Sequence, residues 1–559
     1  MAHGSVKMCL QCATCSMVSC CLFRALKFLS CRDSKIKAEA CRWPKGKTLR
    51  LEIPGARGFT VTGTEKGFRK LPLDTPGDVT IRFKTPADAF RVFTGQIGIA
   101  QAYAEHRFTL RGNMGLAMPF VRCVDRTEGY LFPPFLARRI LKRLPKKEVS
   151  TARVYLAVLL GRYCKMSYYE FKLPAKILSG EGALEHVPHE LQTLGASRPL
   201  LLSDQGLAQV GTVKIVQAAL RQGGLVPAET YCHIPPDSSI EVVNHIAQLY
   251  RDTQCDSLIA VGGGSVIDTA KGVGMVLAQA GHDLLDSAGC EVLPRGKHVP
   301  FVAVPTTAGT GSEATLVAVV ANPAIQVKME FLSYHLLPDV AVLDPRMTET
   351  LPPRITAATG FDALVHAIEA ATCLQRNPVS DSFAEKAIQQ ISQNLTRAVE
   401  HGKDRKARMA MANGSLLAGA AFSNSMVGLV HAIGHALGGV CHVAHGEAMT
   451  ILLPAVMKYN LEKCHKRYGE LLLYVAGPEV YAATPEAQRA QKTIDTLIAL
   501  RQHLADVTGL PTTLSQTGKV QPSDFEAVAN TALNDGAIIV NPAEADFDEI
   551  VGILKEVWA

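Results

Sequence analysis

The sequence lacks the features of a membrane-spanning or exported protein. Its uncharged N-terminal stretch, residues 8–23, is too short and too polar to cross a bilayer. No small-residue cleavage site follows a clean apolar core, so a secretory signal peptide is not expected. Internal repeats are absent, and there is no low-complexity tract beyond a cysteine-rich start. These absences predict a cytoplasmic protein and leave association with a membrane surface open.

Paired cysteine motifs are also missing from most of the chain. Eight of the 15 cysteines are scattered without regular spacing, which suits a reducing compartment. In the first 41 residues, the run C-x2-C-x2-C-x4-C resembles a bacterial ferredoxin segment, but Ser19 stands where the fourth cysteine would be. An iron–sulfur cluster, zinc binding, S-acylation and a leader without function are therefore alternatives for this segment. Its seven cysteines are Cys9, Cys12, Cys15, Cys20, Cys21, Cys31 and Cys41.

A glycine turn at residues 262–264 matches neither G-x-G-x-x-G nor the Walker pattern, because Lys271 lies too far from it. The turn follows an apolar run that ends at Val261, and Ser265 is well placed as a helix N-cap. Backbone N–H groups at a helix N-terminus are suited to a phosphate. The pattern predicts either a phosphate-binding turn or a tight strand-to-helix connection without a ligand.

A second loop of this kind lies in residues 299–315, where an apolar strand runs into Pro305, Thr306, Thr307 and further glycines. Adjacent hydroxyls and free backbone donors at the carboxyl end of a strand suit ribose, pyrophosphate or a nicotinamide amide. Ligands of open α/β sheets bind at that edge. The alternative is a loop rich in threonine and glycine that binds nothing.

Potential metal ligands are concentrated in two segments of the C-terminal half. Asp362 and His366 are four residues apart, as are His431 and His435, and such pairs share one face of a helix. His442 and His445 follow closely, amid glycine and alanine rather than the leucine and isoleucine of a packing stripe. One carboxylate with several imidazoles suits Fe²⁺ or Zn²⁺. A surface pair or a hydrogen-bonded core pair is the alternative for Asp362 and His366 alone.

From about residue 170 to residue 559, the chain resembles the iron-containing (group III) alcohol dehydrogenases. The resemblance implies an α/β dinucleotide-binding domain, an all-helical metal-binding domain and hydride transfer between an alcohol, or its aldehyde or ketone, and a nicotinamide cofactor. A homo-oligomer, most simply a dimer, is expected. The matching segments, in the family's order, are FKLPAKILSGEGAL, LLLSDQGLAQVG, AVGGGSVIDTAK, PTTAGTGSE, LPDVAVLDPRMTETLPPRITAATGFDALVHAIEA and HAIGHALGGVCHVAHGEAMTILLP.

The same resemblance assigns roles to individual residues. It implies Fe²⁺ as the metal, although Zn²⁺ accepts the same ligands, and it places His435 near the nicotinamide. An acidic Asp204 near the adenosine ribose would favour NAD over NADP. The implied metal ligands are Asp362, His366, His431 and His445. The implied cofactor contacts are Asp204, Gly262, Gly263, Gly264, Ser265, Asp268, Thr306, Thr307, Thr310 and Lys328.

Charge is distributed unevenly along the chain. Residues 1–170 carry 30 Lys+Arg against 12 Asp+Glu, whereas the remainder carries 28 against 39. This asymmetry predicts a basic module joined to a mildly acidic enzyme. The basic run at 137–149 would face phosphates or anionic lipid, or would be a solvated helix end.

Part of this module, residues 48–135, resembles the sterol-carrier-protein-2-like lipid-binding domains. Strands are predicted at 48–55, 78–86 and 107–118, with a helix between the last two that contains Ala89, Phe90, Phe93 and Ile97. The last strand ends in RGNMGLAM, which matches that family's pattern. The resemblance implies an α+β fold with a hydrophobic tunnel for an acyl chain or sterol, which the segment at 131–141 would line. A small accessory domain with a packed core is the alternative.

The predicted architecture is multidomain: a cysteine-rich basic leader (1–47), a lipid-carrier-like α+β module (48–145), a linker or docking helix (146–169), an α/β NAD-binding domain (170–355) and a helical metal-binding domain (356–559). The predicted function is a metal-dependent alcohol dehydrogenase whose N-terminal module binds lipid or an anionic membrane surface. Nucleic acid is not an expected partner. The alternatives are a lipid-binding or redox adaptor with a secondary or inactive dehydrogenase domain, and a metal-dependent non-dehydrogenase on the same scaffold, such as a lyase of the dehydroquinate-synthase type.

Overall fold

The computed structural model describes residues 2–30, 33–44, 46–64, 67–73, 75–132, 137, 140–141, 170–173, 176–279, 283–287, 289–290, 298–324 and 327–559. The chain forms two compact units. The first contains Met1–Glu170, Gly289–Val292 and Leu533–Glu544, and the second contains Phe171–Ala288, Leu293–Ala532 and Ala545–Ala559. The basic run at 137–149, the linker at 146–169 and most of the segment at 131–141 lie outside the described residues.

The first unit is built on a mostly antiparallel sheet in the order β10-β5-β4-β1-β2-β3. Its single parallel pair joins β1 to β4. Side chains alternate between the two faces, so Leu49, Leu51, Val79 and Ile81 are buried on one of them. The strands are β1 (Thr48–Ile53), β2 (Ala56–Thr64), β3 (Gly67–Leu71), β4 (Val79–Phe83), β5 (Phe108–Arg111) and, from later in the chain, β10 (Gly289–Cys290).

Helices cover the apolar face of this sheet. They are α1 (Ala2–Leu29), α2 (Ser34–Arg42), α3 (Pro86–Phe93), α4 (Ile99–Ala104) and α5 (Met114–Leu131). The cysteine-rich start is therefore a long helix, and it packs on β2, α3 and α5 through Leu22, Phe23, Leu26 and Leu29. Arg122 of α5 donates hydrogen bonds to Glu39 and to the carbonyl of Leu533. These bonds attach the segment 533–544 to α5.

Strands are confirmed within the predicted ranges 48–55 and 78–86, although β4 ends at Phe83 and Pro86 is already the first residue of α3. Two other predictions are wrong. The third strand stops at Arg111, because Gly112 has φ 106° and Asn113 caps α5 by accepting a hydrogen bond from the Gly115 N–H. The residues of RGNMGLAM after Asn113 are thus helical. The predicted helix between the last two strands is split into α3 and α4, since Gly95 adopts φ 67° and Ile97 lies in the turn.

The second unit begins with a six-stranded parallel sheet in the order β6-β14-β11-β9-β7-β8. Its central strands are buried on both faces, as parallel sheets covered by helices are. The strands are β6 (Lys176–Ser179), β7 (Pro199–Leu202), β8 (Glu229–Tyr231), β9 (Ser257–Gly262), β11 (Phe301–Pro305) and β14 (Val340–Leu343), and β12 (Val317–Asn322) and β13 (Val327–Leu332) form an antiparallel hairpin. The helices of this part are α6 (Val187–Thr193), α7 (Gln205–Gln209), α8 (Thr212–Gln222), α9 (Ile240–Asp252) and α10 (Gly264–Ala278).

The rest of the second unit is helical. Its core lies where α11, α12 and α13 pack together and where α15 crosses α17. The helices are α11 (Pro353–Thr372), α12 (Pro378–Glu400), α13 (Arg405–Ser423), α14 (Leu429–Cys441), α15 (His445–Ala476), α16 (Pro478–Ala483), α17 (Glu486–Thr508), α18 (Phe525–Ala532) and α19 (Phe547–Glu556). No helix among the described residues is both long and apolar enough to cross a membrane.

Candidate active site

Four potential metal ligands converge inside the helical part of the second unit. Their ligand atoms all lie within 4.8 Å of one another, and the residues are Asp362, His366, His431 and His445, called here the ligand quartet. Oδ1 of Asp362 lies 3.3 Å from Nε2 of His445 and 3.9 Å from Nε2 of His431. Two ligands of a tetrahedral ion with bonds of about 2.1 Å are separated by ~3.4 Å, so these spacings fit one shared ion.

The local fold explains why these side chains meet. Asp362 and His366 are one turn apart on α11, and His431 lies in the first turn of α14. His445 is the first residue of α15, so a three-residue connection from α14 brings it back to the same point. Gly446 allows this approach, because a Cβ there would lie 2.8 Å from the carbonyl oxygen of Ala358.

The electrostatic environment of the quartet suits a cation. Burial favours the protonated form of Asp362, but the imidazoles of His366 and His445 outweigh it and hold the pKa of the carboxyl below its ordinary range. Burial lowers the pKa of His366 to about 3, so its ring is neutral and can coordinate through a lone pair. Within the described part of the chain, Nδ1 of His366 is buried without a hydrogen-bond partner. A bound ion would satisfy that atom.

Glu369 orients one of the four ligands. Its Oε2 lies 2.5 Å from Nδ1 of His431, and its Oε1 accepts a hydrogen bond from the Val430 N–H at 2.8 Å. A proton on Nδ1 leaves the lone pair of Nε2 directed at Asp362. Such outer carboxylates fix the tautomer and orientation of ligating histidines.

The cofactor candidates meet at the carboxyl edge of the parallel sheet. Asp204 follows β7, Gly263 follows β9 and Thr306 follows β11, and these three strands are neighbours. The N–H of Thr306 donates to the carbonyl of Gly262, which ties the two glycine-containing loops together. A Cβ on Gly264 would lie 2.9 Å from Cγ2 of Thr310, so glycine is required for this approach.

The loop after β11 also reaches α11, the helix that carries Asp362 and His366. A Cβ on Gly309 would lie 2.7 Å from Cβ of Thr359, which precedes Asp362 by one turn of α11. The edge of the sheet and the ligand quartet are therefore joined by a single loop, residues 306–315. The loop 306–315 thus contacts both the glycine turn after β9 and the helix that carries Asp362 and His366.

The buried side chain of Lys271 holds the loop 306–315 in place by hydrogen bonds. Nζ of Lys271, on α10, donates hydrogen bonds to Oγ of Ser312 at 2.9 Å, Oγ1 of Thr315 at 2.9 Å and the carbonyl of Val317 at 2.7 Å. Asp268 accepts a hydrogen bond from the Ser312 hydroxyl at 2.5 Å and another from the Val319 N–H. Lys271 is buried, and burial lowers its pKa to about 8.

Comparison with known proteins agrees with this geometry. A family model described as iron-containing alcohol dehydrogenase matches residues 174–345, and one for the C-terminal part of the Fe-containing alcohol dehydrogenase family matches residues 356–558. The chain is 37% identical over 377 residues to long-chain-alcohol dehydrogenase 1 of Geobacillus thermodenitrificans, covering 67% of this chain and 92% of the relative. It is 35% identical over 385 residues to the NAD-dependent methanol dehydrogenase of Bacillus methanolicus, covering 69% and 98%.

The chain belongs to the iron-containing alcohol dehydrogenase family. A crystal structure of 1,3-propanediol oxidoreductase superimposes with a TM-score of 0.66 at 36% sequence identity, covering 70% of this chain and all (100%) of that one. The predicted α/β and helical domains of the dehydrogenase are thereby confirmed as a fold.

Three of the predicted cofactor contacts, Ser265, Lys328 and Asp268, have hydrogen-bond or ion-pair partners within the chain. Gly263, rather than Ser265, is the N-cap of α10, because the helix already begins at Gly264. Ser265 instead accepts a hydrogen bond from the Asp237 N–H at 3.2 Å. Lys328 on β13 forms an ion pair of 2.7 Å with Asp237. Asp268, a predicted cofactor contact, has both carboxylate oxygens hydrogen-bonded to the 306–319 segment.

His435 stands beside the quartet of the dehydrogenase without joining it. Its ring is stacked on that of His445 with centroids 5.5 Å apart, and its Nδ1 lies 3.6 Å from Oε1 of Glu330. His435 is one quarter exposed, so its ring can exchange protons with solvent. It thus lies next to the ligands, and its position near the nicotinamide stays a prediction.

Sequence reasoning missed two residues that organise the site, Glu369 and Lys271. Glu369 lies three residues after His366 on the same helix face, a spacing that could have marked it as a third member of the group. The sequence pattern gives Lys271 no role, because the residue lies too far from the glycine turn to be a Walker lysine. The available signal was a lysine and an aspartate, Lys271 and Asp268, within an otherwise apolar helix, since charged residues are rarely buried without partners.

Proposed function

We propose that this chain is an NAD-linked, Fe²⁺-dependent alcohol dehydrogenase that interconverts an alcohol and its aldehyde or ketone. The ligand quartet is the observation that carries the proposal. One buried carboxylate among three imidazoles would hold a divalent ion at Asp362, His366, His431 and His445. When bound, the ion supplies a Lewis acid that lowers the pKa of the substrate hydroxyl and stabilises the developing alkoxide.

The residues around the quartet perform the remaining tasks. Glu369 keeps the His431 ring in the ligating tautomer, and the loop 306–315 positions the cofactor relative to α11. His435 takes the hydroxyl proton from the substrate side and passes it to solvent, because imidazole titrates near neutrality. Reduction of a carbonyl uses the same groups in the opposite order.

The proposal is tested with two substitutions that separate metal binding from proton transfer. Asp362→Ala should abolish Fe²⁺ retention, since it removes the negative charge at the centre of the quartet. His435→Ala should retain iron and lower the rate of NAD⁺ reduction by about 10²-fold or more, as loss of a general base does. Iron content of the anaerobically purified proteins and turnover with alcohols of increasing length are measured.

His442→Asn is the matched control for these substitutions. His442 lies in the same histidine-rich segment but is exposed, and asparagine tolerates its φ of 57°. This variant should resemble the unsubstituted chain in both iron content and turnover. A His435→Ala protein without iron would overturn the assigned roles, and an active Asp362→Ala protein would overturn the metal site.

NAD is proposed as the cofactor in preference to NADP. Asp204 follows β7 at the sheet edge, where its Oδ1 accepts a hydrogen bond from the Leu207 N–H at 2.8 Å and caps α7. A carboxylate there repels a 2′-phosphate and hydrogen-bonds a 2′-hydroxyl. The NAD-dependent relative from Bacillus methanolicus supports this choice.

Lipid or acyl binding by the first unit is proposed as an accessory function. The supporting observation is its α+β architecture, in which strand β4, helix α3, the Gly95 turn and strand β5 follow in the order of the lipid-carrier pattern. A fluorescent fatty acid should bind the full chain saturably and be displaced by a long-chain alcohol. Absence of saturable binding would show that the apolar face of the sheet is only a packed core.

A further inference from the structure

The first unit has an open groove of about 550 Å³ beside the turn between β1 and β2. It is lined by the polar side chains Ser16, Arg50, Glu52, Arg57 and Arg82, and by apolar residues that include Leu73. We call this feature the arginine groove. It lies wholly within the first unit, so it is separate from the ligand quartet and from the cofactor edge.

The arginine groove carries excess positive charge. Among the lining residues that the structure describes, Glu52 is the only carboxylate, and its oxygens face two arginines: Oε1 lies 2.8 Å from Nε of Arg50, and Oε2 lies 3.8 Å from Nε of Arg82. Arg57 is exposed and has no ion pair with any residue that the structure describes. Three guanidinium groups and one carboxylate leave a balance of about two positive charges, which matches a dianion.

The turn that bears Arg57 is held in place by α1. The N–H of Arg57 donates to Oγ of Ser16 at 2.9 Å, and the hydroxyl of Ser19 donates to the carbonyl of Arg57 at 2.5 Å. Sγ of Cys12 approaches the carbonyl of Pro54 at 3.9 Å. These three α1 residues are spaced by four and three positions, so one helix face fastens the turn and fixes the backbone of Arg57 before a ligand arrives.

We propose that the arginine groove binds a phosphate monoester in its dianionic form. Planar guanidinium groups hydrogen-bond phosphate oxygens in pairs, and a phosphate offers enough oxygens for Arg50, Arg57 and Arg82 together. Leu73, which is 39% exposed, gives the ester's organic part an apolar contact at the rim. The phosphate comes either from a soluble monoester or from a lipid headgroup, since both present the same terminal group.

Binding is measured on the full chain with saturating NAD⁺, which occupies the phosphate-binding turn of the dehydrogenase. The soluble probe is glycerol 3-phosphate in calorimetric titration. The lipid probe is phosphatidic acid in phosphatidylcholine vesicles, measured by co-sedimentation against vesicles of phosphatidylcholine alone. Binding to either probe supports the site, and the probe that binds more tightly identifies the source. Failure to bind both probes overturns the proposal.

Variants separate a defined site from general attraction to a basic protein. Arg57→Gln and Arg82→Gln should each weaken binding about tenfold or more, because each removes a charge-assisted hydrogen-bonding group. Glu52→Gln should strengthen it, since the competing carboxylate is neutralised. The matched control is Arg69→Gln, an exposed arginine on β3 that does not line the groove. Equal weakening by the control, or no strengthening by Glu52→Gln, would overturn the proposal.

Discussion

Glu369→Gln tests how the dehydrogenase controls the tautomer of a metal ligand. Glutamate presents one oxygen to the His431 ring at 2.5 Å and the other to the Val430 N–H at 2.8 Å. An amide has one oxygen and one NH₂ group, so it cannot accept both hydrogen bonds. If NH₂ faces His431, the ring proton must move to Nε2, the atom directed at the ion. If NH₂ faces Val430, two donors oppose each other.

The expected loss of Fe²⁺ affinity follows from the hydrogen bond that the amide cannot accept. Loss of an outer-shell partner of a ligating histidine reduces metal affinity by about 10- to 100-fold, or ~1.4–2.7 kcal/mol. Because Glu369 is buried and also accepts from the start of α14, the upper half of this range is expected. Affinity is measured by anaerobic competition for Fe²⁺ against a chelator, and Co²⁺ absorption spectra report the ligand geometry independently of activity.

Two comparisons make this prediction specific. Glu369→Asp keeps the negative charge and should recover part of the lost affinity. Glu385→Gln changes a glutamate on α12 that accepts hydrogen bonds from Arg467 and Tyr474, so it should leave Fe²⁺ affinity unchanged. The reasoning is refuted if Glu369→Gln binds Fe²⁺ as tightly as the unsubstituted chain, since the tautomer would then be set by another group.

Three further predictions address the cofactor loop, the nicotinamide cofactor and the first unit. Lys271→Met removes the hydrogen bonds that Nζ donates to Ser312, Thr315 and Val317 and should raise the KM for NAD⁺ about tenfold while iron content stays unchanged, because buried acceptors left without a donor cost about 1–3 kcal/mol each. Asp204→Ser retains an α7 cap and should shift the ratio of kcat/KM values toward NADP⁺ by about tenfold; an unchanged ratio would refute the ribose contact. Burial lowers the pKa of His106 to about 4, so its contribution to the free energy of unfolding is fully present above about pH 6.5 and is lost as the pH falls through about 4. His106→Asn, which tolerates the native φ of 50°, should therefore flatten this acid dependence, worth about 3 kcal/mol, in melting curves recorded across that range.

Much of the catalytic half could be predicted from sequence because its signals are local. The four-residue spacing of Asp362 and His366 predicts that they share one helix face. The apolar run before Gly262 predicts a strand that ends at a glycine turn. Order along the chain then places both loops at the carboxyl edge of a parallel sheet. Local spacing thus identifies which residues carry the chemistry.

The supporting residues could not be predicted in the same way, because their partners are distant in sequence. Glu369 meets His431 across 62 positions, and Lys271 meets Ser312 across 41. Each contact depends on how two elements cross, which periodicity does not encode. The N-cap predicted at Ser265 is also misplaced: serine is the better N-cap by side chain, but Gly263 has the extended backbone and α10 already begins at Gly264.

The cysteine-rich start has a spacing that fits both a cluster motif and one face of a helix. Regularly spaced cysteines suggest ligands, and metal ligation requires thiolates. Burial raises the pKa of Cys15 to about 12, and its Sγ lies 3.6 Å from the carbonyl of Pro86, so this thiol stays protonated as a weak donor. Ser16 and Ser19 bond to the backbone of Arg57 from the same helix. Short side chains at these positions allow α1 to approach the β1–β2 turn closely, and the spacing that resembles a cluster motif is also the spacing of a helix face.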